Sequence, residues 1–279
     1  MKIAIISDIH SNLQALQATL KDIEKRNVDK IFCLGDIIAK GVHPEECVKL
    51  IKEKCDVVVH GNCDRNFSKD HSQDMAEQSI VEQKRIKWNQ SLISMETRDY
   101  LSKLPFAYEF YMSGSLIRLF HASPESDEKV VTNYASIQEK LKLFYPTDKI
   151  GSDKIADVVI YGHLHQQFMD KLYNKTLINV GSVGNSFDVV RNKEKDSNVM
   201  ETTRSNYLIL EGEYGKKEYA DDISFQFIRV PYDINEELKD EYLNLEKENY
   251  RYELTEGKYR DMTKIEDGFR KIGIDVDSI

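Results

Sequence analysis

Five times along this chain a short apolar run, strand-like in composition, ends at side chains able to bind a metal ion. IAIIS leads into Asp8 and His10, IFCL into Asp36, and VVVH into Asn62 and Asp64. LIRLF delivers His121, and VVIY delivers His163 and His165. In α/β folds, ligand sites collect beyond the carboxyl ends of strands. A chain with this pattern is therefore expected to bring five strand ends to one pocket, lined by eight His, Asp and Asn side chains.

The segments between these runs fit that reading. Ile3–Ser7, Ile31–Leu34 and Val57–Val59 read as strands, and Leu13, Leu16, Leu20 and Ile23 between the first two form a helical stripe. Glu45–Lys52 reads as a short helix. Strand–helix–strand alternation predicts an α/β sheet with parallel neighbours. The second half is richer in strands, at Tyr108–Met112, Leu116–His121, Val158–Tyr161, Gln167–Leu172, Thr176–Val180, Tyr207–Leu210 and Phe225–Val230. Ser113-Gly114 and Asn174-Lys175 carry hairpin-turn chemistry, and Ile137, Leu141 and Phe144 mark one more helix. The polar stretch Arg191–Arg204 reads as a mobile loop.

Residues 66–104 break the rhythm: they are polar and helix-prone, with Val81, Trp88 and Leu92 spaced to share a face and Pro105 stopping the last helix. This is expected to be a helical insertion in a domain spanning 1–233, either a plain covering pair or a cap over the site. The tail, 234–279, reads as a helical extension packed on that domain, with stripes at Leu238, Tyr242 and Leu245 and at Tyr259, Met262, Ile265, Phe269 and Ile272.

The donor types suit a borderline-hard ion. Carboxylate, imidazole and amide oxygen accept manganese, iron, zinc, cobalt or nickel, whereas thiolate-rich sets favour softer metals. Asp8 and His10 stand two apart, as do His163 and His165, so in extended backbone each pair would point to one side. Glycines at 35, 61 and 162 precede ligand positions and permit tight turns.

Charge narrows the partners. The net charge of −9 argues against a broad face for polymeric nucleic acid, which usually needs a basic stripe. No run approaches the roughly 18 apolar residues of a membrane helix, and the N-terminal run is too short for a signal peptide. Cys33, Cys47, Cys55 and Cys63 show no CxxC pairing, so reduced, buried thiols and a cytoplasmic location are expected.

As an ordered set, Asp8-x-His10, Gly35-Asp36, Gly61-Asn62-x-Asp64, His121 and Gly162-His163-x-His165 resembles the calcineurin-like metallophosphoesterases. The resemblance runs from Met1 to about Ser186 and includes GDIIAKGVHPEE from Gly35 and the Ile178–Gly184 stretch, which is similar to the NPGS-type loop of small bacterial members with Val180 in place of proline. It implies a four-layer α/β/β/α sandwich with the site at one sheet edge. It also implies two divalent or mixed-valence transition metal ions. Asp8, His10, Asp36 and His165 would hold one; Asp36, Asn62, His121 and His163 the other, with Asp36 bridging. Two ions bring +4 and two carboxylates −2, so such a pocket attracts phosphate despite an acidic chain. A bridging hydroxide could then attack phosphorus, with Asp36, Asn62 and His10 at the catalytic centre.

One position departs from the family's familiar pattern. Many members carry histidine after Gly-Asn, placed to protonate the leaving oxygen; this chain has Cys63, whose neutral thiol is a poor general acid at neutral pH and which could instead be plain packing. The GNCD version resembles a bacterial subgroup associated with phosphodiester cleavage, and related small enzymes hydrolyse diadenosine tetraphosphate. Lys40 lies where related phosphatases hold phosphate with arginine, Asn62 could donate to a phosphate oxygen, and His71 would approach substrate if the insertion is a cap. His43 and His60 read as turn or surface residues. The implied activity is hydrolysis of phosphodiester or phosphoanhydride bonds in small nucleotides. The alternatives are a phosphomonoesterase, a nuclease, and a non-catalytic scaffold on the same fold.

Overall fold

The computed structural model describes residues 1–77, 79–187, 189–191, 200–220, 222–239 and 247–256. Its first half alternates strand and helix: β1 (Lys2–Ile6), α1 (Leu13–Lys25), β2 (Lys30–Cys33), α2 (Pro44–Lys54) and β3 (Val57–Val58). Helices α3 (Asn62–Ser68), α4 (Ile80–Ser91) and α5 (Met95–Ser102) follow. Then come β4 (Ala107–Met112), β5 (Ser115–Phe120), α6 (Ile137–Lys142), β6 (Val158–Tyr161), β7 (Gln167–Leu172) and β8 (Lys175–Val180). The last elements are β9 (Val189–Arg191), β10 (Met200–Thr203), β11 (Ser205–Glu211), β12 (Ser224–Val230), α7 (Ile234–Glu237) and α8 (Lys247–Glu256).

Two five-stranded sheets result, ordered β12-β11-β1-β2-β3 and β4-β5-β6-β8-β7. Within the first, β1, β2 and β3 are parallel, with Ile6 beside Cys33 and Cys33 beside Val58. Within the second, β5, β6 and β8 are parallel, with Leu119, Ile160 and Ile178 abreast. The carboxyl ends of the five ligand-bearing strands thus belong to two parallel trios, while the antiparallel strands lie outside them.

Alternation along β1 explains the layers. Ile3 and Ile5 face the second sheet and pack with Phe32, Ile117, Leu119, Ile160 and Ile178. Ala4 and Ile6 face the other way, against Ala15 and Leu16 of α1 and Cys47 and Ile51 of α2. On the far side of the second sheet, Phe120, Val159, Tyr161 and Leu177 pack with Leu143 and Phe144 at the end of α6. Each fully buried aliphatic side chain contributes roughly 1.5–3 kcal/mol. The order helix, sheet, sheet, helix is the expected α/β/β/α sandwich.

Several local expectations need revision. The Ser113-Gly114 hairpin holds, with φ of 48° and 83°, the twin left-handed pair that matches strand twist. The second hairpin turns at Tyr173-Asn174 instead, because pairing of Leu172 with Lys175 leaves those two residues at the tip. Arg191–Arg204 is not a featureless loop: Met200–Thr203 pairs antiparallel with Val189–Arg191, and residues 192–199 lie outside the described ones. Helix α4 buries Ile86 and Asn89, with Trp88 and the following Leu92 half-buried, while the Val81 side chain lies outside those described. The first helix of the insertion begins at Asn62 itself, inside the third motif. All four cysteines are free, with Cys33 and Cys47 buried and Cys55 and Cys63 half-buried. In the tail, Leu238 caps α7, while Tyr242, Leu245 and the stripe from Tyr259 lie outside the described residues. No described helix is long and apolar enough to cross a membrane.

Candidate metal centre

The loops leaving the parallel strands turn through left-handed backbone. Asp8 and His10 have φ of 54° and 51°, Asp36 50°, and His163 and His165 66° and 59°. The two-residue spacing of each pair therefore works by a tight left-handed bend, not by the extended backbone expected from sequence. Asp, Asn and His are the side chains, after glycine, that tolerate this region. Glycine is required where loops touch: a Cβ on Gly61 would lie 2.1 Å from Asp36 Oδ1, and one on Gly184 1.8 Å from the Ile9 carbonyl oxygen.

The seven candidate ligands, which follow five strands, meet in one cluster, with Asn62 and His163 half-buried and the other five buried. Asp8 Oδ2 accepts from the His163 backbone N–H at 2.9 Å, and Asp36 Oδ1 accepts from the Cys63 N–H at 2.8 Å. Their remaining oxygens face imidazoles. Asp8 Oδ1 lies 3.3 Å from His165 Nε2, 3.8 Å from His10 Nε2 and 4.0 Å from His121 Nε2. Asp36 Oδ2 lies 3.5 Å from His121 Nε2 and 3.8 Å from His10 Nε2. Asn62 Oδ1 is 3.1 Å from His121 Nε2, and the His163 ring sits edge-on to that of His121 at 5.1 Å.

The proton positions test whether this cluster fits a cation. His10, His121 and His165 each direct Nδ1 at a backbone carbonyl, of Ile38 (3.3 Å), Leu34 (2.8 Å) and Asn185 (2.6 Å). A carbonyl only accepts, so Nδ1 carries the hydrogen, and in the neutral ring Nε2 keeps its lone pair. His10 and His165 Nε2 then stand 3.0 Å apart with lone pairs opposed, beside a buried Asp8 Oδ1 that has no hydrogen-bond donor among the described residues. Ligands about 2.0–2.2 Å from one ion lie within roughly 4.4 Å of each other. The donor atoms of Asp8, His10 and His165 meet this at 3.0–3.8 Å from one another, as do the Asp8 and Asp36 oxygens toward His121 Nε2, at 4.0 and 3.5 Å. These clusters fit a metal ion.

Electrostatics point the same way. Burial pushes His10 down to about 3, helped by Lys40 and His165, and His163 down to about 4, helped by His121. For His121 burial is outweighed by Asp36 and Asp8, which raise it to about 10. Burial would raise Asp36 and Asp8, but the surrounding imidazoles hold both below the usual carboxylate range. One strongly basic imidazole between two ionised carboxylates is the proton-filled form of a cation site.

The other motif side chains take distinct places. Asp64, the eighth, holds backbone instead: Oδ1 accepts from the N–H groups of Ile37 (2.9 Å) and Ile38 (3.3 Å), and Oδ2 from Gly61 (2.9 Å). It fixes the Asp36 and Asn62 loops against each other. Cys63 Sγ lies within 4.8 Å of the donor atoms of His10 and Asp36, a proximity its sequence context did not reveal. Burial and Asp36 push its thiol far up, so it stays protonated. The Ile178–Gly184 loop braces the first motif, with Ser182 Oγ donating to the Asp8 carbonyl at 2.7 Å.

A cavity of about 140 Å³ opens over the cluster, lined by His10, Asp36, Asn62, His163 and His165 below and by Lys40 and Cys63 beside them. Its wall includes Asn66 and Phe67 of α3, Glu82 and Arg85 of α4, and Glu128. The insertion thus reaches the cavity, but not through His71. That residue is absent from the lining and buried, its ring nitrogens bonded to Asp74 Oδ1 and the Asn66 carbonyl at 2.8 Å each. Lys40 is not a loose surface lysine either: its ammonium sits 3.0 Å from Glu253 Oε2 of α8. His60 lies 3.4 Å from Asp127, and His43 caps the start of α2; neither lines the cavity.

Comparison with known proteins agrees with this geometry. The model of the calcineurin-like phosphoesterase superfamily domain matches residues 1–206. An uncharacterized protein of Methanocaldococcus jannaschii is 32% identical over 249 residues, covering 83% of this chain and 88% of that protein. A metallophosphoesterase from Sphaerobacter thermophilus superposes with a TM-score of 0.59 at 21% identity, covering 99% of this chain and 96% of the other. A hypothetical protein from Pyrococcus horikoshii superposes at 0.69 and 17% identity, covering 93% and 99%.

Proposed function

The chain belongs to the calcineurin-like phosphoesterase superfamily, and we propose that it hydrolyses phosphodiester or phosphoanhydride bonds in small nucleotides. In this reading Asp8, His10, Asp36 and His165 hold one divalent transition metal ion. Asp36, Asn62, His121 and His163 hold a second, with Asp36 shared. Bound ions would supply a nucleophile from water at neutral pH and neutralise charge gathering on phosphorus.

The chain's own groups do the rest. Asp8 and Asp36 keep their inward oxygens ionised, and the carbonyl-anchored Nδ1 hydrogens keep His10, His121 and His165 aimed inward. Lys40, Asn62 and Arg85 line the cavity and provide donors to phosphate oxygens. Phosphate contact by cations fixed in a cavity holds the reacting group in line and excludes solvent around it.

The single observation that carries the substrate preference is Cys63. In this reading it takes the place from which an imidazole would protonate the leaving oxygen, and burial and Asp36 make its half-buried thiol a weaker acid than a free one. Chemistry here should suit groups that leave as stable anions, such as a nucleoside phosphate. The cavity is lined by both acidic and basic side chains, in keeping with a small ligand in place of a polymer. A cytoplasmic location belongs to the same proposal.

A hydrolysis screen with manganese, iron, zinc, cobalt and nickel added in turn tests the proposal. It compares dinucleoside polyphosphates, nucleotide diesters and alkyl monoesters. Fastest turnover on anhydrides or aryl diesters is expected. Preference for alkyl monoesters would replace it with a phosphomonoesterase, and metal binding without turnover of any substrate would make the chain a scaffold.

A further inference from the structure

The metal cluster leans on a part of the chain that the family model, ending at residue 206, does not reach. Glu253, on α8, is 1% exposed. A buried carboxylate needs charge or hydrogen-bond partners. Its Oε2 accepts from Lys40 Nζ at 3.0 Å and from the side-chain amide of Asn185.

Asn185 in turn controls His165. Its backbone carbonyl takes the His165 Nδ1 hydrogen at 2.6 Å, with Asn185 Oδ1 at 3.3 Å from the same nitrogen. A carbonyl is aimed by the bonds on either side of it. On one side the Asn185 N–H donates to Ser182 Oγ at 2.8 Å; on the other the side chain is tied to Glu253. An unbroken hydrogen-bonded chain therefore runs from α8 through Asn185 to the imidazole whose Nε2 faces Asp8 and His10.

Helix α8 is itself anchored where it must be for this. Tyr250 and Leu254 are buried with Ile234 and Leu238 of the α7 region. The Leu254 carbonyl accepts from Thr203 Oγ1 of β10 at 3.1 Å, and Tyr250 donates to Glu237 Oε1 at 3.1 Å. Glu237 also takes the N–H of Gln14 in α1 at 3.4 Å, which locks the tail to the helix following the first metal motif.

We infer that Glu253 is a positioning residue that, through Asn185, sets the orientation of His165 for metal binding, so that the C-terminal helix completes the site. The inference rests on the metal-site reading above. Partners one shell removed from a metal typically change affinity by about 10–100-fold when lost.

The test is calorimetric titration of the metal-depleted, full-length protein with Mn²⁺, without reference to turnover. Glu253→Ala and Asn185→Ala should each weaken one of the two binding events by about 10–100-fold. The double variant should lose no more than either single one, because both cut the same chain. Glu253→Gln keeps an acceptor for the Asn185 amide and should bind within about 3-fold of wild type, far from the Ala variant. Wild-type affinity in Glu253→Ala overturns the inference, as does full additivity in the double variant or a Gln variant as weak as the Ala variant. A wild-type protein that binds no Mn²⁺ overturns the metal-site reading along with it, whereas the preceding outcomes leave that reading intact.

Discussion

Asp8 and Asp36 are arranged alike: each gives one carboxylate oxygen to a backbone N–H, of His163 at 2.9 Å and of Cys63 at 2.8 Å, and turns the other toward imidazole Nε2 atoms. The loop bonds make each side chain rigid before any ion arrives, which lowers the ordering entropy that binding would otherwise cost. Asp36 Oδ2 lies 3.8 Å from His10 Nε2 and 3.5 Å from His121 Nε2, and the proposal gives it the shared position.

Asp36→Asn keeps the acceptor for Cys63 but removes the shared charge. It should cost more than one bound metal per chain and abolish hydrolysis. His165→Ala should weaken mainly one site and His163→Ala mainly the other. Metal content by elemental analysis with competitive titration checks all three. Two ions and full activity in Asp36→Asn would remove it from the bridging role.

Metal binding should release a proton from His121. Its pKa is raised to about 10 in the metal-free fold, so at pH 8 the ring is protonated at Nε2, the atom an ion would take. Binding must displace that hydrogen, so about one proton per chain should appear in solution and affinity should tighten with pH until the ring's own pKa is reached. Titrations in two buffers of different ionisation enthalpy measure it. Zero release at pH 8 would place His121 outside the ligand set.

The insertion should shape substrate choice through Arg85 and Glu82, not through His71. Arg85→Ala removes a cation from the cavity wall and should raise KM more for nucleotide substrates than for small aryl diesters, with metal content unchanged. His71→Ala should leave relative rates alone and cost about 1–3 kcal/mol of stability, because the buried ring's bond to the Asn66 carbonyl is lost, while Asp74 keeps Lys69. Kinetics across the substrate panel, with thermal melts of both variants, separates the two effects. Equal shifts for every substrate in Arg85→Ala would count against a cap function.

Leaving-group dependence tests Cys63. A well-placed acid is worth roughly 10²–10⁴-fold on poor leaving groups. Log rate plotted against leaving-group pKa should slope steeply for wild type and be unchanged in Cys63→Ala on aryl diesters. Cys63→His should flatten the slope by lifting the alkyl esters, provided the ring fits beside Asn62. A flat wild-type line that collapses in Cys63→Ala would make Cys63, or a group it holds, the proton donor.

Much of this architecture could be read from residue order because the strands are short, apolar and bounded by turn residues, and because their ends carry donors with little reason to recur in line by chance. Val158–Tyr161 agrees to the residue for that reason. Helix α4 was less legible: several polar–apolar spacings fit its sequence, and packing against α3 selects Ile86 and Asn89. The roles of Asp64 and His71 depend on which backbone groups lie within reach, which residue type alone does not state. Glu253 had no local signal at all; its ion-pair partner is 213 positions away and its neighbours form an ordinary charged helix.

The left-handed φ values at Asp8, His10, Asp36, His163 and His165 act as a filter on inheritance. Such backbone rejects valine or isoleucine on conformational grounds and accepts Asp, Asn, His and Gly. At these positions a single exchange of Asp for Asn, or of His for Asn, alters charge and metal affinity while leaving the loops foldable. A lineage built on these loops can therefore lose metal-binding side chains one at a time and still fold, which opens a stepwise route away from metal-dependent chemistry without loss of the scaffold.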